Sequence, residues 1–311
     1  MKKLLTIILA FSLCSLAFAQ DLSSATELYN QGATALNKGE KTQAVKLFEK
    51  ALLQAEDIGA EAEELAYNCK NAIPTVYLAI GKELAAAKKY DEAIKILTKA
   101  KKLAEKYGQS STSQQAAKLI PQLYVQQGND CLREKDYKGS IEFYNKAVTV
   151  DPNQAMAYLR MGNSYMRLGQ ESKMEESLNK ANELGLNKQA SQMLSKYFLL
   201  KSRKLLKAKK NKEAIVACDK SLEAMKTPLA FFIKGQAAMQ IKSYDVAIES
   251  LESFLALSPN DRNADNAIFQ LAMSCQSKKM NAKACGYYKQ IQGKPKFAEY
   301  AKAQIKILKC K

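Results

Sequence analysis

Few residues in this chain could do chemistry. The candidates are seven cysteines, carboxylate pairs such as Glu175-Glu176, and the cation run "KSRKLLKAKKNK" over 201–212. The chain has no histidine, so the commonest general base and the commonest metal ligand are both missing. That excludes Ser-His-Asp and Cys-His catalysis and most zinc sites. No two cysteines form a C-x-x-C pair, which removes the usual redox motif. There is no Gly-rich phosphate loop and no nucleophile elbow. Neighbouring glutamates are common on solvated helices, and Glu175-Glu176 is read that way. The expectation is a protein that is not an enzyme and uses neither cofactor nor metal.

The first twenty residues, "MKKLLTIILAFSLCSLAFAQ", read as a processing signal. Lys2 and Lys3 precede an uncharged apolar run from Leu4 to Phe18, and Ala17-Phe18-Ala19 is a small-x-small cleavage pattern. The run of 15 residues is short for a membrane span of about 20. Cys14 follows Leu13, where a lipidation signal wants a small residue. Cleavage after Ala19 is therefore expected, giving an exported chain, periplasmic or beyond, with no transmembrane segment in its mature form.

Loss of Lys2 and Lys3 lowers the formal charge from +17 to +15. Such a balance commonly marks a nucleic-acid binder, but export separates this chain from the chromosome. The excess is almost all lysine, with arginine only at 133, 160, 167, 203 and 262, whereas base reading favours arginine. The 201–212 run still spaces Leu205 and Leu206 as a helix would, so it reads as a solvated helix face.

Elements that could position these residues emerge from internal comparison. Residues 75–100, "TVYLAIGKELAAAKKYDEAIKILTKA", align on 122–147, "QLYVQQGNDCLREKDYKGSIEFYNKA", at a constant offset of 47. Tyr77 matches Tyr124, Gly81 matches Gly128, Tyr90 matches Tyr137, Ala93 matches Ser140 and Ala100 matches Ala147. The frame recurs at Gly32, Gly162 and Gly235, and more weakly at Ser202 and Ala272. A small residue at a fixed place suits two antiparallel helices in close approach, with Gly81 facing Ala93 and Gly128 facing Ser140. Asp91, Asp136 and Asn211 stand where a second helix needs a cap or turn residue. Pro74, Pro121 and Pro228 are expected to open first helices, and Pro152 and Pro259 to close second ones. Extra residues between units, at 55–72 and 104–119, predict longer helices with a loop at 107–113. Residues 295–309 carry one apolar stripe, Phe297, Tyr300, Ala301, Ile305 and Leu308, suited to capping the last unit.

Small and aromatic sites in this order, with a closing proline, resemble the tetratricopeptide repeat (TPR) family. Residues 157–184 and 231–261 match best, and Gly128 to Gly162 is a step of 34, the family period. The resemblance covers about residues 24–292, with degenerate units around Ser202 and Ala272. It implies an all-α fold: a right-handed superhelical solenoid of about seven TPR-like helical hairpins with a C-terminal capping helix. The domains would be a leader at 1–19, the solenoid at 20–292 and the cap at 293–311. Cys131, Cys218 and Cys275 fall on inward faces as small hydrophobes. Among Cys275, Cys285 and Cys310, in the last unit and its cap, one bridge can form after export, its connectivity left open by the sequence.

The resemblance further implies a non-catalytic protein- or peptide-binding scaffold of the cell envelope, its ligand lying on the concave first helices. The residues one and five places after the small site would face it: Asn129 and Arg133, Asn163 and Arg167, Arg203 and Lys207. Some members clamp a terminal carboxylate with such residues. Here Val125 and Leu159 stand where a full clamp would be polar, which points to an acidic or extended peptide held by amides and charge. The implied partner is another protein or such a peptide, not nucleic acid, with room for peripheral outer-membrane association. The alternative is an accessory factor for envelope assembly or polysaccharide handling that touches anionic polymer through its lysines.

Overall fold

The computed structural model describes residues 21–311; the expected leader lies outside them. Among the described residues there are fifteen α-helices, one short 3-10 turn and no strand. They pair into seven hairpins: α1 (residues 21–37) with α2 (Lys41–Ile58), α3 (Glu63–Ala86) with α4 (Tyr90–Lys106), and α5 (Ser110–Arg133) with α6 (Tyr137–Val150). The next are α7 (Ala155–Arg167) with α8 (Glu171–Glu183) and α9 (Asn187–Lys207) with α10 (Asn211–Ala224). The last are α11 (Pro228–Gln240) with α12 (Tyr244–Leu257) and α13 (Ala264–Ser277) with α14 (Asn281–Ile291), followed by α15 (Ala298–Ile307). The fold is an all-α repeat solenoid. It divides into two compact units, one ending at Ala157 and one beginning at Tyr158.

Each hairpin is closed by one device. The residue seven places after the small site adopts a left-handed conformation, with φ between 59° and 82°: Gly39, Lys88, Lys135, Gly169, Lys209, Lys242 and Lys279. Its N–H and the next one reach back to two carbonyls of the first helix. In hairpin 2, Lys88 N donates to Ala85 O at 3.0 Å and Lys89 N to Leu84 O at 2.9 Å. This satisfies carbonyls that the helix end would otherwise leave unpaired. Glycine is the low-strain occupant of this place, and a residue with a Cβ there costs about 1 kcal/mol or more. Five of the seven hairpins nonetheless carry lysine.

The interior of the five glycine hairpins refines the expected packing of small against small. A Cβ placed on Gly128 would stand 2.5 Å from Tyr144 Cε1, and one on Gly81 would stand 2.6 Å from Leu97. Gly32, Gly162 and Gly235 meet Phe48, Leu178 and Leu251 in the same way. In these five hairpins the occupant of the gap is the large side chain 16 residues on, with the residue 12 places on beside it; at Gly32 the Ala44 carbonyl also comes within 3.3 Å of such a Cβ. Seen from the second helix, Phe48, Leu97, Tyr144, Leu178, Cys218, Leu251 and Tyr288 are all at most 2% exposed. A knob entering a hole removes apolar surface from water while keeping the two helices close.

Two expectations about punctuation also change. Pro228 opens α11 as predicted, but Pro74 and Pro121 lie inside α3 and α5, each 24 residues long. A proline inside a helix leaves the carbonyl four residues earlier without its donor. For Pro74 that is Lys70 O, and Gln109 Nε2, from the turn between α4 and α5, donates to it at 2.6 Å. A neighbouring hairpin thus supplies the bond that proline removes. The loop expected at 107–113 shrinks to 107–109, because α5 begins at Ser110. The extra residues of the long steps do become longer first helices, in α3, α5 and α9. Asp136 caps α6, its Oδ1 accepting from Gly139 N at 2.9 Å. Asp91 and Asn211 lie just inside α4 and α10, after Lys89 and Lys210.

The cap packs by most of its stripe, but Tyr300 is 43% exposed and meets Phe269 only edge-on. Phe297 and Ala301 are buried, Ile305 and Leu308 pack on the same core, and the Phe297 ring stacks on Phe269 at 4.9 Å. Cys285 of α14 is bridged to Cys310, leaving Cys275 free and buried. The bridge closes a 25-residue separation, worth about 3 kcal/mol in the chain-entropy account. Cys218 is buried as expected, whereas Cys131 is only partly so.

Candidate binding surface

The predicted ligand residues sit on three first helices and differ in how free they are. Asn129 is half-buried on α5, and its Oδ1 accepts a hydrogen bond from the Tyr144 hydroxyl at 3.0 Å. It braces the knob of its own hairpin. Arg133, one turn on, is exposed and bonded to Asp130 of the same helix. On α7, Asn163 is half-buried and Arg167 exposed; on α9, Arg203 and Lys207 are exposed. Among the described residues, no ion pair involves Arg167, Arg203 or Lys207. Val125 and Leu159, where a full clamp would be polar, are 7% and 8% exposed and serve the core.

Three clusters that sequence reasoning missed bind hairpin to hairpin. In each, a glutamate on a second helix receives a tyrosine hydroxyl and a lysine from the following hairpin. Glu49 of α2 takes Tyr77 of α3 at 2.8 Å and Lys99 of α4 at 3.0 Å. Glu171 of α8 takes Tyr197 at 3.0 Å and Lys201 at 2.5 Å, both from α9. Glu252 of α12 takes Tyr287 at 2.7 Å and Lys283 at 2.5 Å, both from α14. The one hint in the sequence is a tyrosine and a lysine four apart in the second and third clusters, so that both lie on one helix face.

These contacts set the electrostatics. Burial opposes ionisation of Glu171, but the hydrogen bonds from Lys201 and Tyr197 outweigh it and hold its carboxyl below the usual range. Glu252 is lowered in the same way against its burial by Lys283 and Tyr287. Burial, then the bond to Glu171, pushes Tyr197 up to about 12. Burial raises the thiols of Cys69 and Cys218 to about 11, where they are poor nucleophiles at neutral pH. No group of three or more His, Cys, Asp or Glu could hold a metal ion among the described residues. There, too, no helix is long and apolar enough to cross a membrane.

Two clefts accompany these faces. One, of about 520 Å³, lies between the turn of hairpin 1 and the end of α3, and the Lys41–Glu83 pair crosses it. The other, of about 380 Å³, lies among α8, α9 and α10, lined by Glu175, Asn179, Asn182, Ser191, Lys220 and Glu223. Lys220 spans it to Glu175 at 2.6 Å, so its strongest charges already satisfy each other.

An all-α stack of hairpins with a two-sided frame and a left-handed turn residue defines the class: a helical-repeat protein. Matches to family models agree. The tetratricopeptide repeat model matches residues 74–107, 155–184 and 229–261, and a second TPR repeat model matches 128–169. Residues 74–107, 128–184 and 229–261 thus carry tetratricopeptide repeats. Among solved structures it is similar to MamA at 21% identity, over 58% of this chain and 94% of that one, with a TM-score of 0.34. It is also similar to YrrB, described as a TPR protein with an unusual peptide-binding site, at 20% identity, over 58% and 91%, with a TM-score of 0.32. The TPR2AB domain of yeast Sti1, solved in a complex with pHSP90, matches at 14% identity over 92% and 99%, with a TM-score of 0.33.

Proposed function

We propose that this chain is a non-catalytic scaffold of the cell envelope that binds a protein through an extended, acidic segment laid along the first helices of its hairpins. The observation that carries the reading is the free charge of Arg167, Arg203 and Lys207. In the same unit, Lys201, Lys220, Lys234 and Lys283 each reach a carboxylate of another helix within 2.7 Å. Cations that recur at one place in successive first helices and have no internal partner suit an anionic ligand, and the forked donors of arginine suit its carboxylates. Asn129 and Arg133, in the first unit, are already engaged by Tyr144 and Asp130.

The envelope location has two supports: the leader pattern, and the Cys285–Cys310 bridge, since disulfides persist in oxidising compartments. Mass spectrometry of the exported protein is expected to find Gln20 at the N-terminus. An intact Met1, or a lipid on Cys14, overturns the export reading. For the ligand, a fluorescein-labelled oligoglutamate peptide is titrated by anisotropy at modest salt. Arg167→Glu with Arg203→Glu is expected to weaken binding at least about tenfold with an unchanged circular-dichroism spectrum. Unchanged affinity in that double variant places the acidic segment elsewhere.

A further inference from the structure

The turns that join first to second helices in hairpins 5, 6 and 7 share an edge of the second unit, because α9, α11 and α13 pack side by side. At these turns Lys209, Lys242 and Lys279 hold φ near 60°, the conformation that favours glycine. Hairpin 4 of the same unit carries Gly169 at this place, so the turn does not require a side chain. All three lysines are exposed, and none makes an ion pair among the described residues. Their neighbours behave differently. Lys278 reaches Asp245 of hairpin 6 at 2.9 Å and Lys210 reaches Glu213 at 3.7 Å, so the acids nearest the edge are already matched.

Apolar side chains stand beside these cations at the turn tips, where solvent would favour polar ones. Ile241 precedes Lys242 and is 37% exposed; Met280 follows Lys279 and is 39% exposed. We propose that this edge docks on an anionic bilayer surface, the lysines at the headgroups and Ile241 and Met280 in the interface. A hydrated soluble polyanion would use the charge but gain nothing from the apolar tips, whereas a bilayer uses both. Lysine suits such a plane: it is a mobile, hydrated point charge and makes no demand for a fixed fork geometry. The inference is independent of the peptide-binding reading, since it uses turn residues and not the helix face.

The test is co-sedimentation of the mature, disulfide-bonded protein with vesicles of mixed phosphatidylglycerol and phosphatidylcholine, and with phosphatidylcholine alone. Binding is expected only to the first. The triple variant Lys209→Gly, Lys242→Gly, Lys279→Gly fits the turn conformation and keeps the fold. It is expected to lower partitioning about 100-fold, from roughly fivefold per lysine near an anionic surface. Lys95→Gln, Lys102→Gln, Lys118→Gln removes the same charge from exposed positions in the first unit and is expected to keep most of the binding. Ile241→Ser with Met280→Ser is expected to weaken vesicle binding and leave oligoglutamate binding unchanged. The proposal fails if phosphatidylglycerol vesicles do not retain the protein, or if the control triple loses as much as the turn triple. Vesicle binding indifferent to the apolar pair assigns the edge to a soluble acidic partner instead and also overturns it.

Discussion

Hairpins 3 and 5 are written on the same frame and filled differently. In hairpin 3 a glycine receives a tyrosine: Tyr144 is fully buried against Gly128, and Asn129 holds its hydroxyl. In hairpin 5 the corresponding residues are Ser202 and Cys218, both fully buried but small. Hairpin 3 is locked by apolar area and one well-placed hydrogen bond. Hairpin 5 relies on polar contacts: the Ser195–Ser221 hydroxyl contact at 3.1 Å between its own helices, and the pairing of Lys201 and Tyr197 with Glu171 on hairpin 4. It also carries the densest free cations. One frame can therefore hold its place by packing or by polar contacts, within itself and with its neighbour, and the second solution leaves more of the surface for a ligand.

The largest expected contrast comes from emptying the two gaps. Tyr144→Ala should cost about 3–5 kcal/mol, as for other buried aromatics cut to alanine. Cys218→Ala removes little more than one methylene equivalent and should cost about 1 kcal/mol. Urea unfolding of the two variants measures both, and equal losses would break the comparison. Next in size is Gly128→Leu, which must displace Tyr144 and should cost about 1–3 kcal/mol. The converse change in hairpin 5, Ser202→Gly with Cys218→Leu, installs the common knob and hole and should stabilise by about 1 kcal/mol.

A third prediction is the pH response of hairpin 5. Glu171 is lowered in the folded state, so the stability it contributes is present above its unfolded pKa and is lost as pH falls through the folded value. Tyr197 is raised from 10.0 to about 12, so its contribution is intact below 10 and is lost as pH rises from there toward 12. Hydrogen exchange of α9 should accelerate at both extremes, and Glu171→Gln should remove the acid limb. Hairpin 3 meets its predecessor through Gln127 to Asp91 and Lys82 to Gln115, at 2.9 Å each, and should respond less. The smallest effect is at the turns. Lys135→Gly and Lys209→Gly should each relieve left-handed strain, for a net gain of about 0.5–1 kcal/mol after the added freedom of the unfolded chain. The gain should be larger for Lys209, which stands beside Lys210 and Lys212, than for Lys135, which lies between Glu134 and Asp136. Equal thermal shifts in the two would show that strain alone governs these turns.

The chain's own order of residues determined the seven hairpins and the cap. Those features rest on local periodicity: an apolar stripe, a small residue at a fixed phase and a helix-ending turn can all be seen within some 30 residues. The cap stripe from Phe297 to Leu308 and the inward Cys218 were legible for that reason. What the tertiary structure alone decided involves partners far apart in sequence. Spacing showed that Gly128 needed a close neighbour but not that Tyr144 would be the one, because both Ser140 and Tyr144 lie on the facing side of α6, one turn apart. Pro74 reads as a helix start until Gln109, 35 residues on, is seen to satisfy the carbonyl it strands. The choice of Cys310 for Cys285, and the division of cations into paired Lys201 and unpaired Lys207, depend on which helices come to lie side by side. Periodicity sets which face of a helix is buried, and only packing sets what that face meets.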